Sequence, residues 1–312
     1  MIEVDNLSRR FGEELAVDSV SFVVEPGTIA ALVGTSGAGK STLLRLINRL
    51  IEPTSGVVRI DGRDTSTLSG VELRRGMGYV IQEYGLFPHW TVARNIATVP
   101  RLLGWGKARI ATRVNELLEL FGLEPQIYSR KYPHELSGGQ QQRVGVARAI
   151  AAEPKVLLMD EPFGALDAII RLKAQEDILA IQKRIGVTIV LVTHDLDEAI
   201  RLGDRIAVMD GGRLLQYGAP AEILANPAHG FVEKLVGGAD RPLRLLSLTK
   251  VAELVEPGSA AGAPIPATAS LRDALSDLLW RGADAAPVAS VDGGPLGRIT
   301  LPSIVARAGR NA

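Results

Sequence analysis

Short, almost wholly apolar runs alternate along residues 1–237 with stretches whose apolar positions recur at three and four. Runs 28–33, 156–159 and 187–192 are leucine-rich or β-branched and apolar on both faces, which predicts central parallel strands. Leu43, Leu46, Ile47 and Leu50 stand at i, i+3, i+4 and i+7, which predicts a helix with one buried stripe. Residues 57–60 followed by Asp61-Gly62 read as a strand and turn, and 205–209, Asp210-Gly211-Gly212 and 213–217 as a hairpin. Stretches 115–121 and 140–152 read as helices. Strand signals are sparse between Glu83 and Pro154, so a helical subdomain is expected over about 83–154. Strands alternating with helices make this an α/β fold with a parallel sheet.

The pattern changes after Gly237-Gly238. Residues 256–264 are rich in Pro, Gly and Ala and read as a loop or linker. A small α/β pattern follows: a helix over 271–280, a strand over 286–290, a turn at Asp292-Gly293-Gly294 and a strand over 296–300. Two domains are expected, 1–237 and 238–312, which suits a chain of 312 residues.

Composition narrows the function classes. Lys+Arg and Asp+Glu each number 35, so bulk charge gives no drive toward nucleic acid. Cysteine is absent, which removes disulfides, thiolate metal sites and cysteine nucleophiles. The opening residues lack the basic and apolar regions of a signal peptide, and no apolar run reaches the roughly 18 residues of a membrane span. The expectation is a soluble, cytoplasmic protein whose membrane association comes through a partner.

Gly34-Thr35-Ser36-Gly37-Ala38-Gly39-Lys40-Ser41-Thr42 fits the phosphate-loop pattern, with a strand before it and an amphipathic helix after it. Its glycines let successive amides face phosphate oxygens, and the helix start adds a favourable dipole. Lys40 would neutralise the β- and γ-phosphates of a nucleoside triphosphate, and the Ser41 hydroxyl could ligate Mg²⁺. The apolar run ending in Asp160-Glu161 places carboxylates at a sheet edge: Asp160 toward Mg²⁺, Glu161 toward the attacking water. Asp160 as an ordinary helix cap is the plain alternative. His194 follows the next apolar strand, where it is either a structural histidine or a hydrogen-bond partner of the γ-phosphate and the water, not a full base. Gln82 ends the run 78–82 and could reach Mg²⁺ and water. Phe11 precedes a turn, where it either stacks on adenine or serves as a core aromatic. A second glycine pair, in Leu136-Ser137-Gly138-Gly139-Gln140, opens another helix and makes a second anion site.

Taken in order, the phosphate loop, Gln82, residues 136–140, Asp160-Glu161, Ala165-Leu166-Asp167 and His194 resemble the motif series of ATP-binding-cassette (ABC) ATPases over residues 1–237. The resemblance implies a phosphate-loop NTPase cassette, a RecA-like core plus a helical subdomain. It implies that Ser137, Gly138, Gly139 and Gln140 contact the γ-phosphate held by a second copy, that Asp167 lies between the two sites, and that Phe11 replaces an adenine-stacking tyrosine. ATP and Mg²⁺ are the implied ligands.

Two further resemblances sharpen the expectation. Residues 46–56, 78–82 and Gly85-Leu86-Phe87-Pro88-His89 resemble the ATPase subunits of importers for osmoprotectants such as glycine betaine, choline and carnitine. The implied partners are a second copy, integral membrane permease subunits and, through the complex, a periplasmic or extracellular binding protein, at the cytoplasmic face of the membrane. The tail resembles one CBS module through Pro264-Ile265-Pro266, residues 271–275, Ala286-Pro287-Val288 and residues 297–300, with Ser303 where such modules often carry a ribose-binding Asp. An amino-acid or phosphonate importer, a non-transport ABC ATPase and a chiefly regulatory binding protein are the alternatives.

Overall fold

The computed structural model describes residues 1–82 and 85–309. The chain divides into two compact units, Met1–Tyr217 and Gly218–Ala312.

The first unit opens with β1 (Ile2–Phe11) and β2 (Glu14–Val24), then β3 (Ile29–Gly34), α1 (Lys40–Ile47), β4 (Ser55–Ile60), β5 (Arg63–Asp64), α2 (Gly70–Arg75) and β6 (Met77–Val80). A helical stretch follows: α3 (Val92–Ile96), α4 (Thr98–Leu102), α5 (Lys107–Leu120), α6 (Pro125–Tyr128) and α7 (Gly138–Ile150). The unit finishes with β7 (Val156–Asp160), α8 (Ala168–Ile185), β8 (Thr188–Val192), α9 (Leu196–Leu202), β9 (Arg205–Asp210) and β10 (Arg213–Gly218).

A six-stranded sheet runs β10-β9-β3-β8-β7-β6, and its pairings from β9 through β6 are parallel. Strand side chains alternate between its faces. Leu157, Met159, Ile189 and Leu191 join one core with α5, α7 and α8. Val156, Leu158, Val190 and Val192 join another with α1 and the antiparallel sheet β2-β1-β4-β5. Of that antiparallel layer the sequence showed β4 as the strand 57–60 and a strand-turn at Phe11-Gly12, but not the full β1–β2 pairing, whose repeated register shifts interrupt the apolar alternation. The register aligns the strand ends. Val80 lies beside Met159, Asp160 beside Val192, Leu32 beside Val192 and Gly34 beside Met209. Whatever follows β6, β7, β8, β3 and β9 therefore shares one edge, where parallel sheets hold ligands.

Most expected elements form, with one correction near the loop. The helix after the phosphate loop stops at Ile47, so Leu50 lies outside the buried stripe and is half exposed. The Asn48 side chain ends it by accepting from the Leu50 amide at 3.0 Å, and Arg49 turns into the left-handed region. Leu43, Leu44, Leu46 and Ile47 remain fully buried, each worth about 1.5–3 kcal/mol over exposure. The expected helical subdomain begins at Glu83, which lies outside the described residues; among the described residues, 85–154 holds helices and no strand.

The second unit contains α10 (Pro220–Ala225), α11 (Gly230–Val236), α12 (Arg241–Leu248), β11 (Ile265–Pro266), α13 (Leu271–Arg281), β12 (Ala285–Ala289), β13 (Pro295–Thr300) and α14 (Leu301–Ala308). Its sheet runs β11-β12-β13, parallel then antiparallel. Leu246, Leu271, Leu278, Val288, Ile299 and Ile304 form its own core. The division lies about twenty residues before the 237/238 boundary expected from composition, because α10 packs on α12, and α12 on α13 and α14. Nor does 256–264 link two domains. It folds back within this unit, through paired amides and carbonyls of Glu256 and Arg298 and an Arg281 bond to the Ala263 carbonyl.

Candidate active site

The phosphate loop turns from β3 into α1 over a close approach that only glycine allows. Gly39 has φ +90°, and a Cβ there would stand 2.3 Å from the Ala16 carbonyl oxygen. The amides of Lys40, Ser41 and Thr42 lie in the first turn of α1, where a helix offers no internal acceptor. Lys40 is buried, and its ammonium donates to the carbonyls of Gly34 at 2.8 Å and Thr35 at 2.7 Å. Burial pulls its pKa below the ordinary lysine value, opposed by the carboxylates of Glu161 and Asp160. Thr35, Ser36 and Gly37 are exposed and Ala38 is buried beneath them. The Thr35 hydroxyl donates to Asp210 at 3.0 Å, so the end of β9 steadies the loop.

Asp160 ends β7, buried, and accepts a 2.7 Å hydrogen bond from the Ser41 hydroxyl. It caps no helix. One carboxylate and one hydroxyl are hard oxygen donors that meet where a nucleotide's phosphates would arrive, a set suited to Mg²⁺, which takes few protein ligands. Glu161 follows in the left-handed region, φ +46°, with its amide tied to the Val192 carbonyl at 3.0 Å. A non-glycine residue held there costs about 1–3 kcal/mol and turns its side chain out of the strand. Its Oε2 lies 3.4 Å from Nδ1 of His194, which is exposed beyond β8. Gln82 stands two residues past Val80 and is exposed on the same edge. Phe11 ends β1 with 43% of its surface exposed and Arg9 stacked on its ring at 4.5 Å. It is no core aromatic.

The glycine pair of the second motif opens α7. Ser137 caps that helix reciprocally with Gln140, whose side chain also donates to the Tyr128 hydroxyl at 3.1 Å. Ser137 and Gly138 are exposed, and their described hydrogen bonds stay local to α7. Gly139 faces α8: a Cβ there would meet Ile170 at 2.6 Å. Asp167 caps α8 through the Ile170 amide at 3.0 Å and is exposed. One chain thus joins the phosphate loop, Asp160, Glu161 and His194 and leaves the second motif facing outward.

Several side chains that shape the site carry no sequence signature. Asn95, fully buried in α3, accepts from the Phe87 amide and donates to the carbonyls of Phe87, Trp90 and Thr91. Arg148 of α7 donates to the Gly85 carbonyl at 2.7 Å, tying the second motif's helix to the segment after Gln82. Glu198 of α9 is 7% exposed. Burial first, then Asp195 and Glu161, push its pKa up to about 7 against a Thr193 hydrogen bond and the charge of Arg171. The folded carboxyl keeps its proton to higher pH than the unfolded one. The associated stability is complete below pH 4.5 and is lost as pH rises through about 7. Glu198→Gln should therefore gain on the order of 3 kcal/mol over the native chain at pH 8 relative to pH 5. Calorimetry at the two pH values measures this, and an equal difference at both would contradict the buried-acid assignment.

Comparison with known proteins places this geometry. Residues 17–164 match the family model described as ABC transporter. The chain is 48% identical over 309 residues to the glycine betaine uptake system ATP-binding protein YehX of Escherichia coli strain K12, covering 99% of this chain and 100% of that one. This chain belongs to the ATP-binding subunits of ABC transporters. The ABC subunit is also 49% identical over 261 residues to the osmoprotectant import ATP-binding protein OsmV of Salmonella typhimurium strain LT2, covering 82% of this chain and 68% of OsmV. Among solved structures, the ATP-binding cassette MJ0796, a dimer in a post-hydrolysis state bound to ADP and Pi, superposes with a TM-score of 0.63 at 33% identity. That match covers 70% of this chain and 99% of the other. The fold is the ABC cassette, and the chain is an ATP-binding ATPase.

Proposed function

We propose that this ATPase powers uptake of quaternary-amine osmoprotectants such as glycine betaine, choline or carnitine. The observation that carries the reading is the match to YehX, which runs end to end and so includes the second unit as well as the cassette. Among the described residues no helix is long and apolar enough to cross a membrane, so the energy must pass to separate permease subunits, with a binding protein delivering the cargo.

The site residues divide the work. Lys40 and the amides of residues 37–42 hold the phosphates, and Phe11 offers its exposed face to adenine. Ser41 and Asp160 would hold Mg²⁺, with Gln82 on the same edge; when bound, the ion neutralises charge on the β- and γ-phosphates. Glu161 takes the proton of the attacking water, and His194, beside it, fixes Glu161 and the γ-phosphate. Ser137, Gly138, Gly139 and Gln140 complete the site of a second copy, with Asp167 between the two. Exposed Ser137, Gly138 and Asp167 support that dimer, as does Ile169, 81% exposed in the first turn of α8. The segment held by Asn95 and Arg148 carries the motion toward permease subunits at the cytoplasmic membrane face.

For the second unit, the order β11, α13, β12, β13, α14 supports a single CBS-like module with a regulatory or dimerising role. Ser303, where such modules often bind ribose, spends its hydroxyl on the Thr300 carbonyl at 2.9 Å, which argues against adenine-nucleotide sensing.

The cargo is tested with the binding protein encoded beside this chain. Titrated calorimetrically, it should bind glycine betaine or choline and, loaded, raise ATP hydrolysis by the reconstituted complex. Binding of neither compound would remove the osmoprotectant reading.

A further inference from the structure

Behind the candidate catalytic edge, the buried Glu198 and the half-buried Arg171 each leave one buried atom unused. Arg171, in the first turn of α8, donates through Nη2 to the Leu166 carbonyl at 2.9 Å, while its Nε is buried without a hydrogen-bond partner. Its own amide donates to the Asp167 carbonyl at 2.8 Å. Arg171 thus grips the Asp167 loop from behind. Glu198 does the same for the His194 loop. One side of its carboxyl takes a hydrogen bond from Thr193, the residue before His194, and its Oε1 is buried without a partner. Thr193 is itself pinned to β3, its amide donating to the Leu32 carbonyl at 3.0 Å. The charged groups acting on the Glu198 carboxyl are Asp195 at the start of α9, Arg171 of α8 and Glu161 after β7, and Arg171 is the one cation among them.

A buried carboxyl and a half-buried guanidinium, each holding one buried atom that meets no partner in this structure, are costly unless they meet. We propose that Glu198 is a positioning residue for hydrolysis: as a carboxylate paired with Arg171 Nε–H, it ties the Asp167 loop to the His194 loop, so that both settle against the γ-phosphate together. The pair touches neither nucleotide nor water. It acts through Leu166 and Asp167 on one side and Thr193 and His194 on the other. The proposal rests on the roles assigned above to Glu161, His194 and Asp167. The raised pKa of Glu198, about 7, sets the pH above which its carboxylate is available to Arg171.

Glu198→Gln separates a structural from an ionic role, since Gln has the shape of the protonated acid and should fold. In the full chain with its permease, the ratio of native to E198Q kcat should be close to one at pH 6 and rise to about tenfold above pH 8, with KM for ATP within about twofold. Arg171→Gln should slow kcat similarly, and the double variant should be no slower than the slower single one. A ratio that stays flat with pH, or single effects that multiply in the double variant, overturns the pair. Glu161→Gln, assayed in parallel, keeps the two readings apart. If it is inert and the ratio is flat, the pair alone falls; if it hydrolyses ATP normally, the catalytic assignment beneath the pair falls.

Discussion

Glu161→Gln is expected to bind ATP with undiminished affinity and hydrolyse it about 10²–10⁴-fold more slowly, the range lost with a positioned general base. Gln keeps the length and hydrogen-bonding reach of Glu and can still face His194, but it cannot take a proton. The substitution leaves the phosphate-binding groups untouched: Lys40 bonds to the carbonyls of Gly34 and Thr35, and Ser41 to Asp160, none of them through Glu161. Losing a carboxylate near Lys40 also removes one of the two charges that favour its protonated form. ATP affinity, measured with a fluorescent analogue, and single-turnover phosphate release separate the two effects. Because hydrolysis would release the phosphate that bridges two copies, this variant should also accumulate as an ATP-dependent dimer by light scattering. Near-native turnover would move the base to another residue.

Lys40→Ala is expected to fail one step earlier. The ammonium sits in a buried pocket with its bonds aimed at the loop's own carbonyls, so it is placed before any phosphate arrives. Truncating a buried, hydrogen-bonded charge facing an opposite charge costs about 2–5 kcal/mol, or roughly thirty- to several-thousand-fold in ATP affinity. The same change leaves the carbonyls of Gly34 and Thr35 without their donor, so the loop itself should loosen. Equilibrium binding of ATP should therefore weaken while the melting temperature falls by only a few degrees. Retained micromolar binding would show that the loop amides and the helix start carry the phosphates without the lysine.

The candidate site was legible in the sequence because each of its parts is local. A phosphate loop needs contiguous glycines and a lysine, an acidic pair needs only to end an apolar strand, and both survive in one dimension. The parallel sheet then brings Gln82, Asp160, Glu161 and His194 to one edge by register alone. What the sequence concealed is whatever depends on contacts between distant segments. Asp210 reaches Thr35 across 175 positions. Asn95 reads as one polar residue on a short helix, and only its complete burial turns it into the clamp on residues 87–91. Glu198 looks like an ordinary acidic residue near a helix start until α9 packs and removes its water. The composition shift at Gly237 likewise misplaced the division between units, because the packing of α10 on α12 leaves no mark in local composition.

Glu161 keeps a left-handed backbone that glycine would adopt at no cost, and Glu198 keeps an acid where an amide would rest more easily. On the roles proposed above, the more heat-resistant choice at both places is the slower one. A library of this chain sorted only by survival after heating should therefore lose its enzymes at these two positions early. The same pair, glycine at 161 and glutamine at 198, would warn that a stabilised descendant had been selected for endurance at the expense of turnover.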